Sequence, residues 1–111
     1  MALAQGDIIE YIDFGLNPTG HEPAYRRPAV VVSSDYFNMS SSMTIVCPVT
    51  SSDNRYPLHL ELPTGIAVHG WIVCEQVRAV DVIAREARVI DHLDADSETM
   101  RAVLECIQSF F

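Results

Sequence analysis

Along most of this chain the apolar residues alternate with polar ones in short runs, and only the last segment repeats at helical spacing. Residues 7–14 (Asp-Ile-Ile-Glu-Tyr-Ile-Asp-Phe) predict a first strand, and Asn17-Pro18-Thr19-Gly20 punctuates it with a turn. Residues 28–33 carry a triple valine, a β-branched run suited to the inside of a sheet. Ser34 to Met43 is polar and serine-rich, which predicts a loop or one short helical turn. Residues 44–50 read as a third strand in which Pro48 predicts a sheet edge or a bulge. Residues 57–62 set Leu58, Leu60 and Leu62 against His59 and Glu61, the pattern of a strand with one wet face. Residues 70–80 predict a strand or a bent pair, and 87–90 a further short one. Met100, Val103, Leu104, Ile107 and Phe110 then fall on one stripe of an amphipathic helix. Asp94 or Asp96 is the expected cap, with Phe110 and Phe111 anchoring the helix end in the core or in a partner. The sum is a mainly β domain with a C-terminal α-helix, expected as a small antiparallel barrel of five to seven strands.

Composition narrows the field. The 111 residues predict a single domain (1–111), and 49% apolar with 20% charged residues is ordinary for a soluble globule. No apolar run approaches the ~20 residues of a membrane span. The first residues lack a basic region followed by an apolar one, so a cytoplasmic location is expected. Three scattered cysteines, Cys47, Cys74 and Cys106, predict free buried thiols, and the histidines do not fall at metal-ligand spacing with them. No metal or cofactor is expected.

Charge constrains function more sharply. The net charge is −8, and all seven cations are arginine. Without lysine there is neither a P-loop nor a Schiff-base mechanism. The acidity disfavours general binding to duplex nucleic acid, which needs a basic surface. A nucleic-acid role would need a local patch built from Arg26, Arg27, Arg55 and Arg78.

The densest chemistry lies between Gly20 and Val32, where His21, Glu22, Arg26 and Arg27 precede Pro28 and the valine run. Proline biases Arg27 toward extended backbone, so this loop feeds directly into a strand. Around it stand further pieces in order: Gly6-Asp7-Ile8, Gly20-His21-Glu22, Arg27-Pro28-Ala29-Val30-Val31, Cys47-Pro48-Val49-Thr50-Ser51, Glu75-Gln76-Val77-Arg78-Ala79-Val80-Asp81, and Leu93-Asp94 with Met100. Together they resemble the MazF/PemK-type toxins, endoribonucleases of bacterial toxin–antitoxin pairs, across roughly residues 6–108.

That resemblance implies an SH3-like, PemK-like barrel and a homodimer. It implies metal-independent cleavage of single-stranded RNA at a short sequence, leaving a 2′,3′-cyclic phosphate and a 5′-hydroxyl. It also implies a cognate antitoxin whose extended tail lies across the RNA groove, and no membrane partner. The expected catalytic residues are Glu22 as base, Arg27 as phosphate clamp and Thr50 as hydroxyl donor. His21, Arg26, Ser51, Glu75, Gln76 and Arg78 are further candidates for catalysis or RNA binding. One branch of the family carries an arginine where this chain has Val73, so that branch's acid is missing here.

Plainer readings stand beside these. Glu22 and Arg27 would also make a loop salt bridge, and Thr50 a strand-end cap. His21 would serve as a polar loop residue, and His59 and His69 as surface groups. Gln76 and Arg78 would either orient the loop or pair with each other. Trp71 suits core or dimer packing, or else a platform for a stacked base. Two other functions remain open: a CcdB-like gyrase-binding toxin acting through the terminal Ser109-Phe110-Phe111, and an inactive barrel that only binds antitoxin.

Overall fold

A computed structural model describes residues 2–13, 25–52 and 56–111. Seven strands form one antiparallel sheet: β1 (Asp7–Asp13), β2 (Tyr25–Val31), β3 (Thr44–Thr50), β4 (His59–Glu61), β5 (Trp71–Val73), β6 (Arg78–Val80) and β7 (Arg88–His92). The order is β4-β5-β3-β2-β1-β7, with β6 also paired to β3. The expected mainly β, barrel-like domain with a C-terminal helix is present, with no pairing among the described residues joining β4 to β7, so that the sheet stays open there. Its outer strand β4 and the two strands sharing the edge of β3 are each three residues long. Such short strands carry a ladder to few neighbours. The predicted bent pair over 70–80 is present, as β5, a 3₁₀ turn (Cys74–Gln76) and β6.

Both faces of the central strands are buried, which is why strict alternation breaks down at Ile8-Ile9 and Ala29-Val30-Val31. Ile8, Val30 and Cys47 pack on one face with Met100 and Val103 of the C-terminal helix. Ile9, Tyr11, Ala29, Val31 and Val46 fill the other, with Leu3 and Val82. The serine-rich segment makes a short helix α1 (Asp35–Ser40), capped by the Ser34 hydroxyl. It is anchored by buried Asn38, whose amide donates to the Leu3 carbonyl at 2.8 Å.

Pro48 corrects the expectation of an edge. It lies buried in the middle of β3, opposite Ala29 of β2. On its other side β3 pairs with β6 through Thr44–Val46 and with β5 through Val49–Thr50. The proline occupies the gap where the strand changes partner, so no ladder bond is lost for want of its N–H.

The C-terminal helix α2 (Glu98–Gln108) presents the predicted stripe, with Met100 and Val103 buried. Its cap is Ser97 rather than either aspartate: the Ser97 hydroxyl accepts from the Met100 N–H at 3.2 Å. Asp94 is used one turn earlier, its carboxylate accepting from the Asp96 N–H. The phenylalanine anchor in the core is also overturned, since the helix ends before it: Phe110 is exposed and Phe111 is 100% exposed. No helix among the described residues is long and apolar enough to cross a membrane.

Candidate active site

Antiparallel register brings the two expected chemical groups together. Ala29 pairs with Pro48, and two residues further along each strand the ladder delivers Arg27 and Thr50 to the same face, side by side. The β3–β5–β4 pairing extends that face through Thr50 opposite Trp71 and Val73 opposite His59. The 3₁₀ turn after β5 then places Glu75 and Gln76 at its rim. The result is a cavity of about 270 Å³ lined by Arg27, Thr50, Ser52, Tyr56, His59, Glu75 and Gln76 over a floor that includes Pro48 and Val73.

Each group has a definable state. Arg27 is half-buried within β2, opposite Tyr11 of β1 and just past the end of the β2–β3 pairing. The Thr50 hydroxyl accepts from the Ser52 N–H at 3.2 Å, so it caps the strand end and still has its own proton to donate. His59 Nε2 lies 3.1 Å from Glu75 Oε2, and the Tyr56 ring leans on the imidazole with centroids 5.3 Å apart. The cysteines, all free, lie behind this face. A hydrogen bond with Cys47, and then burial, push the Cys74 thiol far above its ordinary range. Burial raises Cys106 to about 11. Raised in this way, both thiols favour the neutral form, which disfavours a nucleophilic role.

Several expected residues are not brought into the cavity. Arg26 points to the opposite face from its neighbour Arg27, and its guanidinium donates to the Glu86 carbonyl at 3.0 Å. Arg78 does not pair with Gln76: it shares the face of Arg27 but donates to the Tyr11 hydroxyl at 2.8 Å, outside the cavity lining. Ser51 is exposed, and its neighbour Ser52 takes the place expected of it. Trp71 is half-buried opposite Thr50 but is not part of the lining, whose aromatic among the described residues is Tyr56. His59 is not a surface group: its side chain is only 7% exposed. Alternation had assigned it to a wet face, but that face is the cavity wall, covered by Tyr56 and Glu75. His69 is exposed as expected. His21, Glu22 and Arg55 lie outside the described residues.

Comparison with known proteins gives this geometry a context. Residues 4–111 match the family described as PemK-like, MazF-like toxin of type II toxin–antitoxin system. The chain is 39% identical to the endoribonuclease toxin ChpB of Escherichia coli K12 over 109 residues, which is 90% of this chain and 87% of that one. It is 36% identical to the endoribonuclease toxin MazF of the same organism, over 74% of this chain and 71% of that relative. Its fold superposes on MazF in a MazE–MazF crystal structure from Deinococcus radiodurans with a TM-score of 0.87 and 27% identity, covering 99% of this chain and 96% of the other.

Proposed function

Because this chain belongs to the PemK-like, MazF-like toxin family of type II toxin–antitoxin systems, we propose that it is a sequence-specific, metal-independent endoribonuclease toxin acting on single-stranded RNA. The observation that carries the reading is the convergence of Arg27 and Thr50 in one polar cavity, on the same face of the neighbouring strands β2 and β3. In the reaction, the 2′-oxygen attacks the adjacent phosphorus and the P–O5′ bond breaks. The products are a 2′,3′-cyclic phosphate and a 5′-hydroxyl. Glu22 is assigned to take the 2′-proton, and His21 or a water molecule supplies the proton that the leaving 5′-oxygen gains. The Arg27 guanidinium matches two phosphate oxygens at once and neutralises the charge that builds on the phosphorane. Thr50 adds a hydroxyl donor to the same oxygens.

The partners follow from the same reading. A cognate antitoxin silences the toxin by laying an extended tail along this groove, and the active form is a cytoplasmic homodimer. The competing gyrase-poison reading draws on the exposed Phe110 and Phe111, and trapped gyrase–DNA complexes would be its mark.

The test is cleavage of a long unstructured RNA in EDTA by wild type, Arg27→Ala and Glu22→Gln. Wild type should cut at a short recurring sequence. Each variant should lose roughly 10²–10³-fold in rate, while Glu22→Gln still binds RNA. Full activity in either variant removes that residue from the mechanism, and no cleavage by folded wild type overturns the reading.

A further inference from the structure

His59 lines the cavity but has no part in the cleavage steps, and packing does not explain it either. Its side chain is almost fully buried, yet Nδ1 has no hydrogen-bond partner among the described residues. A buried polar atom left unsatisfied opposes folding. A phenylalanine of similar shape would remove that penalty. What histidine supplies instead is the Nε2–H, which donates to Glu75 Oε2 and holds the carboxylate at the cavity rim. Such conflicts between local stability and a retained residue are expected at functional positions.

The neighbours indicate what the held carboxylate serves. Glu75 keeps 31% of its side chain exposed, and Gln76 follows it in the lining. Tyr56 is 49% exposed and leans on the His59 ring, so an aromatic face is open beside the carboxylate. An aromatic face next to hydrogen-bonding edges is how proteins take up a splayed RNA base. Resting on the ribonuclease reading, we infer that Tyr56, Glu75 and Gln76, with His59 as the residue that positions Glu75, form a nucleobase-reading subsite next to Arg27 and Thr50. It selects a base bearing an exocyclic amino group. A carboxylate accepts hydrogen bonds and donates none. Adenine, cytosine and guanine each offer it an amino group. Uracil offers only N3–H, flanked on both sides by carbonyl oxygens that a carboxylate repels. The Gln76 amide, both donor and acceptor, completes the edge.

The experiment is cleavage-site profiling on a randomised single-stranded RNA pool, with thermal melts of each variant. Wild type should discriminate against uracil at one position of its motif by roughly tenfold or more, the penalty for covering the Glu75 carboxylate with a base that cannot donate to it. Glu75→Gln should cut the preferred motif about tenfold more slowly and admit uracil at that position. His59→Phe should melt at or above the wild-type temperature and relax the same position, and His59→Gln, which restores a donor, should recover selectivity. An unchanged motif in Glu75→Gln overturns the subsite. Loss of cleavage at every sequence alike in folded Glu75→Gln also overturns it, by making Glu75 part of the chemistry. A lower melting temperature with an unchanged motif in His59→Phe reduces the histidine to packing. Absence of cleavage by wild type itself defeats the ribonuclease reading, and the subsite with it.

Discussion

Thr50 owes its position to a residue far along the chain. A Cβ added at Gly70 would stand 2.2 Å from the Thr50 carbonyl oxygen, and Gly70 has φ +143°, where side chains are strained. Gly65, with φ +86°, has nothing within 4 Å of its added Cβ. The pair makes a controlled comparison. Gly65→Ala should cost about 1–2 kcal/mol of backbone strain and leave RNA cleavage intact. Gly70→Ala should destabilise by about 1–3 kcal/mol and also lower kcat, because the strand end that carries the hydroxyl has to shift. Equal kcat in both would show that Thr50 tolerates displacement. At this scale Arg27 and Thr50 were singled out through the family resemblance, and the strand register then sets them on one face. His59 was not. Its partner Glu75 belongs to another element, and an alternating pattern cannot distinguish a wet face from a cavity wall.

Elements are held by devices that the pattern locates to within a turn. The α2 stripe was readable from its spacing, but the expected caps, Asp94 and Asp96, lie within three residues of Ser97, a further residue able to cap. The chosen one is Ser97, because only there does the backbone leave the hydroxyl facing the Met100 N–H. Ser97→Ala should lower stability by about 1 kcal/mol. Asp96→Ala, whose side chain caps nothing, should stay within about 0.5 kcal/mol. Denaturant melts of the two variants decide between them, and a larger loss at Asp96 would restore the aspartate cap. A second device is the Asp91 carboxylate, which accepts from the Ala67 N–H at 2.7 Å and ties the 62–70 loop to β7. That bond, followed by one from the His92 N–H, holds Asp91 below the ordinary aspartate range. A depressed carboxylate contributes stability above its unfolded pKa and loses it as the pH falls through the folded one. This tether therefore weakens only in acid, below about pH 4.

At the scale of the whole molecule, the tension is between a net charge of −8 and a polyanionic substrate. A groove of four arginines was expected; Arg55 lies outside the described residues, and the register divides the other three. Arg26 is turned to the other face and bound to Glu86, while Arg27 and Arg78 share the site's face. One phosphate contact on a single strand, at Arg27 in the cavity, contributes about 0.7, so log KM should rise with log salt with a slope of roughly 0.7. A slope above about 3 would mean that more cations engage the strand than this face provides. Duplex RNA should be cut far more slowly, since its bases cannot be splayed into the cavity.

The sequence by itself determined the class of fold, the strand and helix segments, the free thiols and the absence of lysine chemistry. Each of these follows from residue type, from period, or from short-range spacing, all of which are local properties. It also carried the family resemblance and, within it, Arg27 and Thr50. Only the tertiary structure decided which face each residue occupies once both sides of the sheet are buried, and that β3 changes partner at Pro48. It also decided that Arg26 leaves the site while Tyr56, Ser52 and His59 enter it. Those outcomes depend on pairing register between strands distant in sequence. A shift of one residue there reverses every side chain, and no local pattern records it.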